Sequence, residues 1–153
     1  MTTTSYSIEF MDLALQCANE AFLNNEVPVG AVVVKNGEVI GKGSNTVLKD
    51  NSIASHAEIN AIIAASKFIK NYRLVGCDLY TTLEPCHMCA KAIVDARIKS
   101  LYFGAQEPKT GAVESIDTFL NRKDINHQVF FSGGHLKDEC AELLKNFFKY
   151  RRD

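Results

Sequence analysis

Thr82–Arg97 reads TLEPCHMCAKAIVDAR, and its two cysteines, Cys86 and Cys89, need partners that the rest of the chain must supply. In a reducing compartment such a CxxC pair is a redox couple, half of a structural zinc site, or two ligands of a catalytic metal. Pro85 suits the first turn of a helix, where its fixed φ is already helical and its missing N–H would have had no partner. Cys86 and Cys89 then lie three residues apart on one helix face. Both sulfurs can reach one ion, and the positive end of the helix favours their thiolate forms. A four-thiolate structural site needs two more cysteines, but Cys17, Cys77 and Cys140 stand alone in the sequence.

Some thirty residues upstream stands His56-Ala57-Glu58. Residues two apart point to different sides of a helix interior, so both can face one ion only at an irregular first turn. Ser55-His56 followed by Ile59, Ala61, Ile62, Ile63 and Ala64 reads as such a start. His56, Cys86 and Cys89 make three protein ligands and leave the fourth tetrahedral position to water, the arrangement of a catalytic zinc, one ion per chain. Zn²⁺, two thiolates and a neutral imidazole sum to zero charge, a modest acidifier of water that two helix N-termini aimed at the ion would reinforce. Glu58 is then assigned general acid/base work, taking the water's proton and returning it to a leaving group. The competing reading makes the two motifs a coincidence, with a surface histidine and a reduced cysteine pair.

The chain's 153 residues suit a single domain, 1–153, large enough to bury a core without staples. Hydrophobic content of 46% and charged content of 23% are ordinary for a globular protein. The start, MTTTSYSIEF, lacks a basic segment followed by an apolar one, and no apolar run approaches spanning length, so the expectation is a cytoplasmic protein with no membrane partner. Five cysteines, with at least two committed to metal, agree with a reducing compartment. A net charge of −1 gives no general affinity for nucleic acid, so any RNA surface must be local.

Taken in order, Ser7–Asn24 reads as an amphipathic helix with Phe10, Leu13, Ala14, Cys17 and Ala21 on its apolar face. Val29–Val34 and Glu38–Gly43 read as a hairpin turned by Asn36-Gly37. Asn45 follows it and by itself reads as a turn residue. Lys49–Ser55 is expected as loop, leading into a helix that runs to about Ile69. Asp78–Leu83 and Ser100–Gly104 are expected as strands on either side of the CxxC helix, a right-handed parallel crossover that puts both metal motifs at helix starts on one edge of a sheet. Ala105–Ser115 reads as loop, Ile116–Leu120 as a short helix, and Gln128–Ser132 as a fifth strand. Leu136–Tyr150 is the last helix, with Leu136, Cys140, Leu143, Leu144 and Phe147 as its buried stripe and a basic end whose plainest role is to complement the helix dipole.

HAE followed by PCxxC is the signature of the zinc-dependent nucleoside and nucleobase deaminases, and the chain resembles them. The resemblance is closer to one branch, the bacterial tRNA-specific adenosine deaminases, through EVPVGAVVV (26–34), SHAEINAI (55–62), NYRLVGCDLYTTLEPCHMCAKAI (71–93), the FGA and KTGA of 103–112, INHQV (125–129) and LKDECAELLKNFFKYRR (136–152). It implies an α/β/α three-layer sandwich around a mixed five-stranded sheet, and a homodimer that converts adenosine to inosine at the wobble position of an arginine tRNA. Position by position it assigns zinc to His56, Cys86 and Cys89 and the proton shuttle to Glu58. It also matches Asn45 to a base-binding asparagine and Pro28 and Val29 to the pocket wall. Glu107, Lys109, Asn126 and the Phe147–Arg152 end, with Phe148, Lys149, Arg151 and Arg152, fall at positions near the anticodon stem-loop. Glu107 stands where that family usually has aspartate, and Lys91 where it has glycine. The alternatives are a deaminase of a free base or nucleoside such as guanine or cytosine, which would not need a basic aromatic C-terminal end, and a non-catalytic zinc subunit that binds RNA, which would not need Glu58.

Overall fold

The structure is a computed structural model that describes residues 5–151, so Arg152 lies outside the described residues. The chain runs α1 (Ile8–Leu23), β1 (Gly30–Lys35), β2 (Glu38–Ser44), α2 (Val47–Asp50), α3 (Ala57–Ile69), β3 (Cys77–Leu83), α4 (His87–Asp95), β4 (Ser100–Ala105), a 3₁₀ turn (Phe119–Asn121), β5 (Phe130–Ser132) and α5 (Lys137–Tyr150). The strands form one sheet in the order β2-β1-β3-β4-β5. β1 is antiparallel to both β2 and β3, whereas β3, β4 and β5 run parallel.

Strand residues alternate between two apolar layers, as a period of two requires. Ala31, Val33, Leu79, Leu101 and Phe103 face the layer made with Ala57, Ala61 and Ala65 of α3 and Ile93 and Val94 of α4. Val32, Val34, Tyr80 and Tyr102 face the layer made with Met11, Ala14 and Cys17 of α1. α5 packs on β4 and α1. The result is the expected α/β/α sandwich. Among the described residues no helix is long and apolar enough to cross a membrane.

Several local expectations shift, each for a physical reason. The turn at Asn36-Gly37 forms with φ of 51° and 78°, the left-handed pair that a tight hairpin needs. Lys49–Ser55 is not all loop, because α2 ends at Asp50. Glu26, 3% exposed, accepts the N–H groups of Leu48 and Lys49 at 3.0 and 2.9 Å and so satisfies the first turn of that helix. Pro85 stays outside α4, which begins at His87, because the Pro85 carbonyl is taken by the N–H of Ala112 at 2.9 Å. The expected short helix contracts to the 3₁₀ turn, and the fifth strand to three residues. On α1 the buried stripe includes Met11 and Ala18, with Phe10 and Leu13 at its half-buried margin.

α3 lies unusually close to β2. A Cβ on Gly43 would meet the Ala57 carbonyl and the Ala61 amide, and one on Gly41 the backbone of Ala61 and Ala65. Neither neighbour is a side chain that can swing away. Gly43→Ala is therefore expected to destabilise the chain by about 1–3 kcal/mol through overpacking and to displace the start of α3. Urea unfolding reads the first effect and zinc content the second; an unchanged midpoint would mean the helix has room to move.

Candidate active site

The antiparallel–parallel sheet delivers both motifs to one edge. His56 is the N-cap of α3 (φ −75°, ψ 151°) and Cys86 the N-cap of α4 (φ −77°, ψ 178°). Extended backbone at each cap turns the side chain along the mouth of its helix, where the unbonded N–H groups concentrate positive potential. His56 Nδ1 lies 3.7 Å from Cys86 Sγ and 3.5 Å from Cys89 Sγ, and the three donor atoms all fall within 4.8 Å of one another. A tetrahedral zinc with ordinary Zn–S and Zn–N bonds separates a sulfur and a nitrogen ligand by about 3.6 Å. The triangle has the size the ion requires.

Its electrostatics agree. The hydrogen bond from the Cys89 thiol, then the one from His56, pushes Cys86 down to about 3. The Cys89 thiol, holding its proton against Cys86 in a buried position, is pushed up, and His56 is raised by its hydrogen bond to Cys86. Protons shared among three ligand atoms are the ones a metal displaces on binding.

Glu58 sits two residues further in, at the second helical position, is 4% exposed, and burial pushes its carboxyl up to about 7. A carboxyl so placed can hold or release a proton near neutrality. A cation at the cluster would work against burial and favour its ionised form.

A cavity of about 560 Å³ opens onto this cluster, and its lining includes His56, Glu58, Cys86, Val29, Asn45, Thr110, Phe148 and Arg151. Asn45, 7% exposed, lies in its wall, and its N–H bonds the Val29 carbonyl at 3.1 Å. Pro28 is buried but outside the lining, as are the less buried Glu107, Lys109 and Lys149. Asn126 is not brought to this cavity; it borders a separate depression with Lys91, Asp95, Phe119 and Arg122. Arg151 Nη1 donates to the Asn25 carbonyl at 2.9 Å and its guanidinium lies 5.3 Å from the Phe147 ring centre, which ties the end of α5 to the opposite wall.

Two residues escaped the sequence reading. Glu26 supports the wall through α2, as described above. Glu84 is 2% exposed, and its carboxylate accepts from four backbone N–H groups and one hydroxyl of the loop after β4. The signal, in hindsight, is an acid between Leu83 and Pro85 where a strand end should stay apolar.

Helices on both faces of this strand order, with a His/Cys/Cys cluster where two helix starts converge on the parallel edge, place the chain among the cytidine-deaminase-like folds. The MafB19-like deaminase model matches residues 7–152, and the chain belongs to that family. It is 46% identical over 143 residues to a tRNA-specific adenosine deaminase of Agrobacterium fabrum, covering 94% of each chain. A structure solved in work on A-to-I editing by tRNA:A34 deaminases at the wobble position of transfer RNA superposes with a TM-score of 0.87 at 45% identity, covering 90% of this chain and 99% of that one. A guanine deaminase of Bacillus subtilis superposes with a TM-score of 0.63 at 31% identity, covering 97% and 96%.

Proposed function

We propose that this chain is a zinc-dependent hydrolase that deaminates adenosine to inosine at the wobble position of a tRNA anticodon, that of an arginine tRNA. The observation that carries the reading is the extent of the cavity. It runs from the metal cluster out to exposed Phe148 and Arg151, so a base seated at the cluster leaves an aromatic ring and a cation for the nucleic acid it belongs to. The names of the relatives point the same way.

His56, Cys86 and Cys89 would hold one zinc, which would supply Lewis-acid activation of a water. Glu58 takes one proton from a water whose oxygen bonds to C6 and delivers that proton to N1 of the ring. It then carries the proton of the new C6 hydroxyl to the amino group, so that C6–N6 cleaves and ammonia leaves as the carbonyl of inosine forms. Asn45 hydrogen-bonds the base, Val29 packs beside it, and the buried wall excludes bulk water. An anticodon loop offers its bases already unpaired, which lowers the cost of turning one into the cavity.

A second reading, hydrolysis of a free purine, is favoured by the likeness to the guanine deaminase. The deciding test offers the protein an anticodon stem-loop and a panel of free bases and nucleosides, and measures ammonia. Release from the stem-loop alone is expected; release from a free base alone would replace the proposal.

Removing Arg151 and Arg152 together is expected to weaken RNA binding and to flatten its salt dependence by about one unit of slope or less per lost contact. Arg151 uses one N–H on Asn25 and keeps others for phosphate. Unchanged affinity and slope would leave the basic end as a solvated terminus.

The chain is also proposed to act in the cytoplasm as a homodimer joined beside α4. Ile93 and Val94 are 0% and 1% exposed and belong to the chain's own core, so the interface would rest on half-buried Met88 and its exposed neighbours. A monomeric mass at micromolar concentration would contradict it.

A further inference from the structure

We propose that Glu84 is a positioning residue that holds the loop between β4 and the 3₁₀ turn in the shape that receives the polynucleotide; this rests on the tRNA reading above. The loop begins at Gln106 and contains Pro108 and Gly111, and a polar segment of that kind loses considerable conformational freedom when ordered. One carboxylate gathers its two ends. Glu84 Oε1 accepts the N–H of Glu107 at 3.0 Å and the hydroxyl of Ser115. Oε2 accepts the N–H groups of Val113, Glu114 and Ser115 at 3.1, 2.7 and 2.9 Å. The acceptor capacity of both oxygens is thus divided between the start of the loop and its end, and the carboxylate works as a clasp.

Three successive backbone N–H groups converging on an anion form a nest whose shape depends on the charge inside it. Among the described residues no Lys, Arg or His forms an ion pair with Glu84, so the negative charge is solvated by the loop itself. The fit is close enough that a Cβ on Gly111 would strike the carboxylate. Further bonds, Gly111 N–H to the Glu107 carbonyl, Ala112 N–H to the Pro85 carbonyl and Glu84 N–H to the Ala105 carbonyl, each 2.9 Å, lock the same segment.

The position of the clasp in the chain gives it a function. Glu84 lies two residues before Cys86, so one short segment carries a metal-cluster sulfur and the anchor of the loop. The loop is thereby held in register with the cluster: Thr110 lines the cavity while Lys109 stands exposed beside it. Glu84 borders the same cavity, but both of its carboxylate oxygens are taken by the loop. Its contribution is to the binding of a substrate large enough to reach the loop.

Glu84→Gln turns an amide N–H₂ toward N–H donors and removes the charge. It is expected to retain one zinc per chain by elemental analysis. KM for an anticodon stem-loop should rise about tenfold or more, the scale of one lost hydrogen bond to a charged group, while kcat stays within about threefold. Trypsin should cut after Lys109 faster by a similar factor. If the variant fails to fold or loses zinc, Ser115→Ala, which removes only the hydroxyl donor, is expected to move KM and cleavage in the same directions by smaller factors. Unchanged cleavage and KM in both variants would overturn the proposal, as would faster cleavage with unchanged KM, or a fall in kcat at constant KM. Faster cleavage in a protein that deaminates no RNA in either form would support the clasp and remove the tRNA reading instead.

Discussion

Glu58→Ala is expected to retain zinc and RNA affinity while turnover falls by about 10²- to 10⁴-fold or more, the range for loss of a positioned general acid/base. Glu58 lies in the first turn of α3, is 4% exposed, and is not one of the three atoms that form the metal-sized triangle. Alanine is the best helix former, so α3 keeps its start and His56 its place. What disappears is a buried carboxyl in the cavity wall beside the cluster, pushed up to about 7 by its burial. The sign of the pH effect follows. Taking the water's proton requires the ionised form, so kcat/KM of the native chain should fall as pH drops through the range where Glu58 protonates. The cation places that range below the metal-free value, and the residual rate of the variant should lack this acid limb. Substantial activity in Glu58→Ala would assign the proton to another group.

Replacing Cys86 or Cys89 by alanine should abolish zinc binding at ordinary concentrations, and activity with it. Each variant leaves a nitrogen and a single sulfur, and the lost ligand is the charged kind that contributes most to holding the ion. Because binding acts on the folded state alone, the native protein should also lose stability when a chelator strips the metal, by about 4 kcal/mol for an ion present at a thousand times its Kd. Thermal unfolding with and without added zinc should therefore differ for the native chain and coincide for both variants. Zinc-free protein that still deaminates would end the assignment.

The metal cluster was legible because its information is local. HAE and PCxxC each put ligand atoms at a helix start, and only their meeting had to come from the sheet. The layer order followed from alternation in the strands, where Val32 and Val34 face one side and Ala31 and Val33 the other. Asn45 was legible only through resemblance, since nothing in its neighbourhood distinguishes a cavity wall from a turn. Glu26 and Glu84 were illegible for a definite reason: their partners are backbone N–H groups of distant segments, and a backbone N–H has no residue type to notice. α2 was missed for the same cause, its first turn being completed by a side chain more than twenty residues upstream. The boundary at Pro85 moved because its carbonyl was already committed to Ala112.

The contact of α3 with β2 through Gly41 and Gly43 makes the two sides of the cavity unequal in evolvability. On the α3 side backbone meets backbone, and no rotamer exists that could absorb a new side chain. On the opposite side Leu48 and Phe148 are 59% and 51% exposed, and Arg151 reaches across on a flexible stem. A mutational library spread over Leu48, Phe148 and Arg151 should yield mostly folded, zinc-loaded proteins with altered substrate range. One of equal size at Gly41, Gly43, Ala57 and Ala61 should yield mostly insoluble ones.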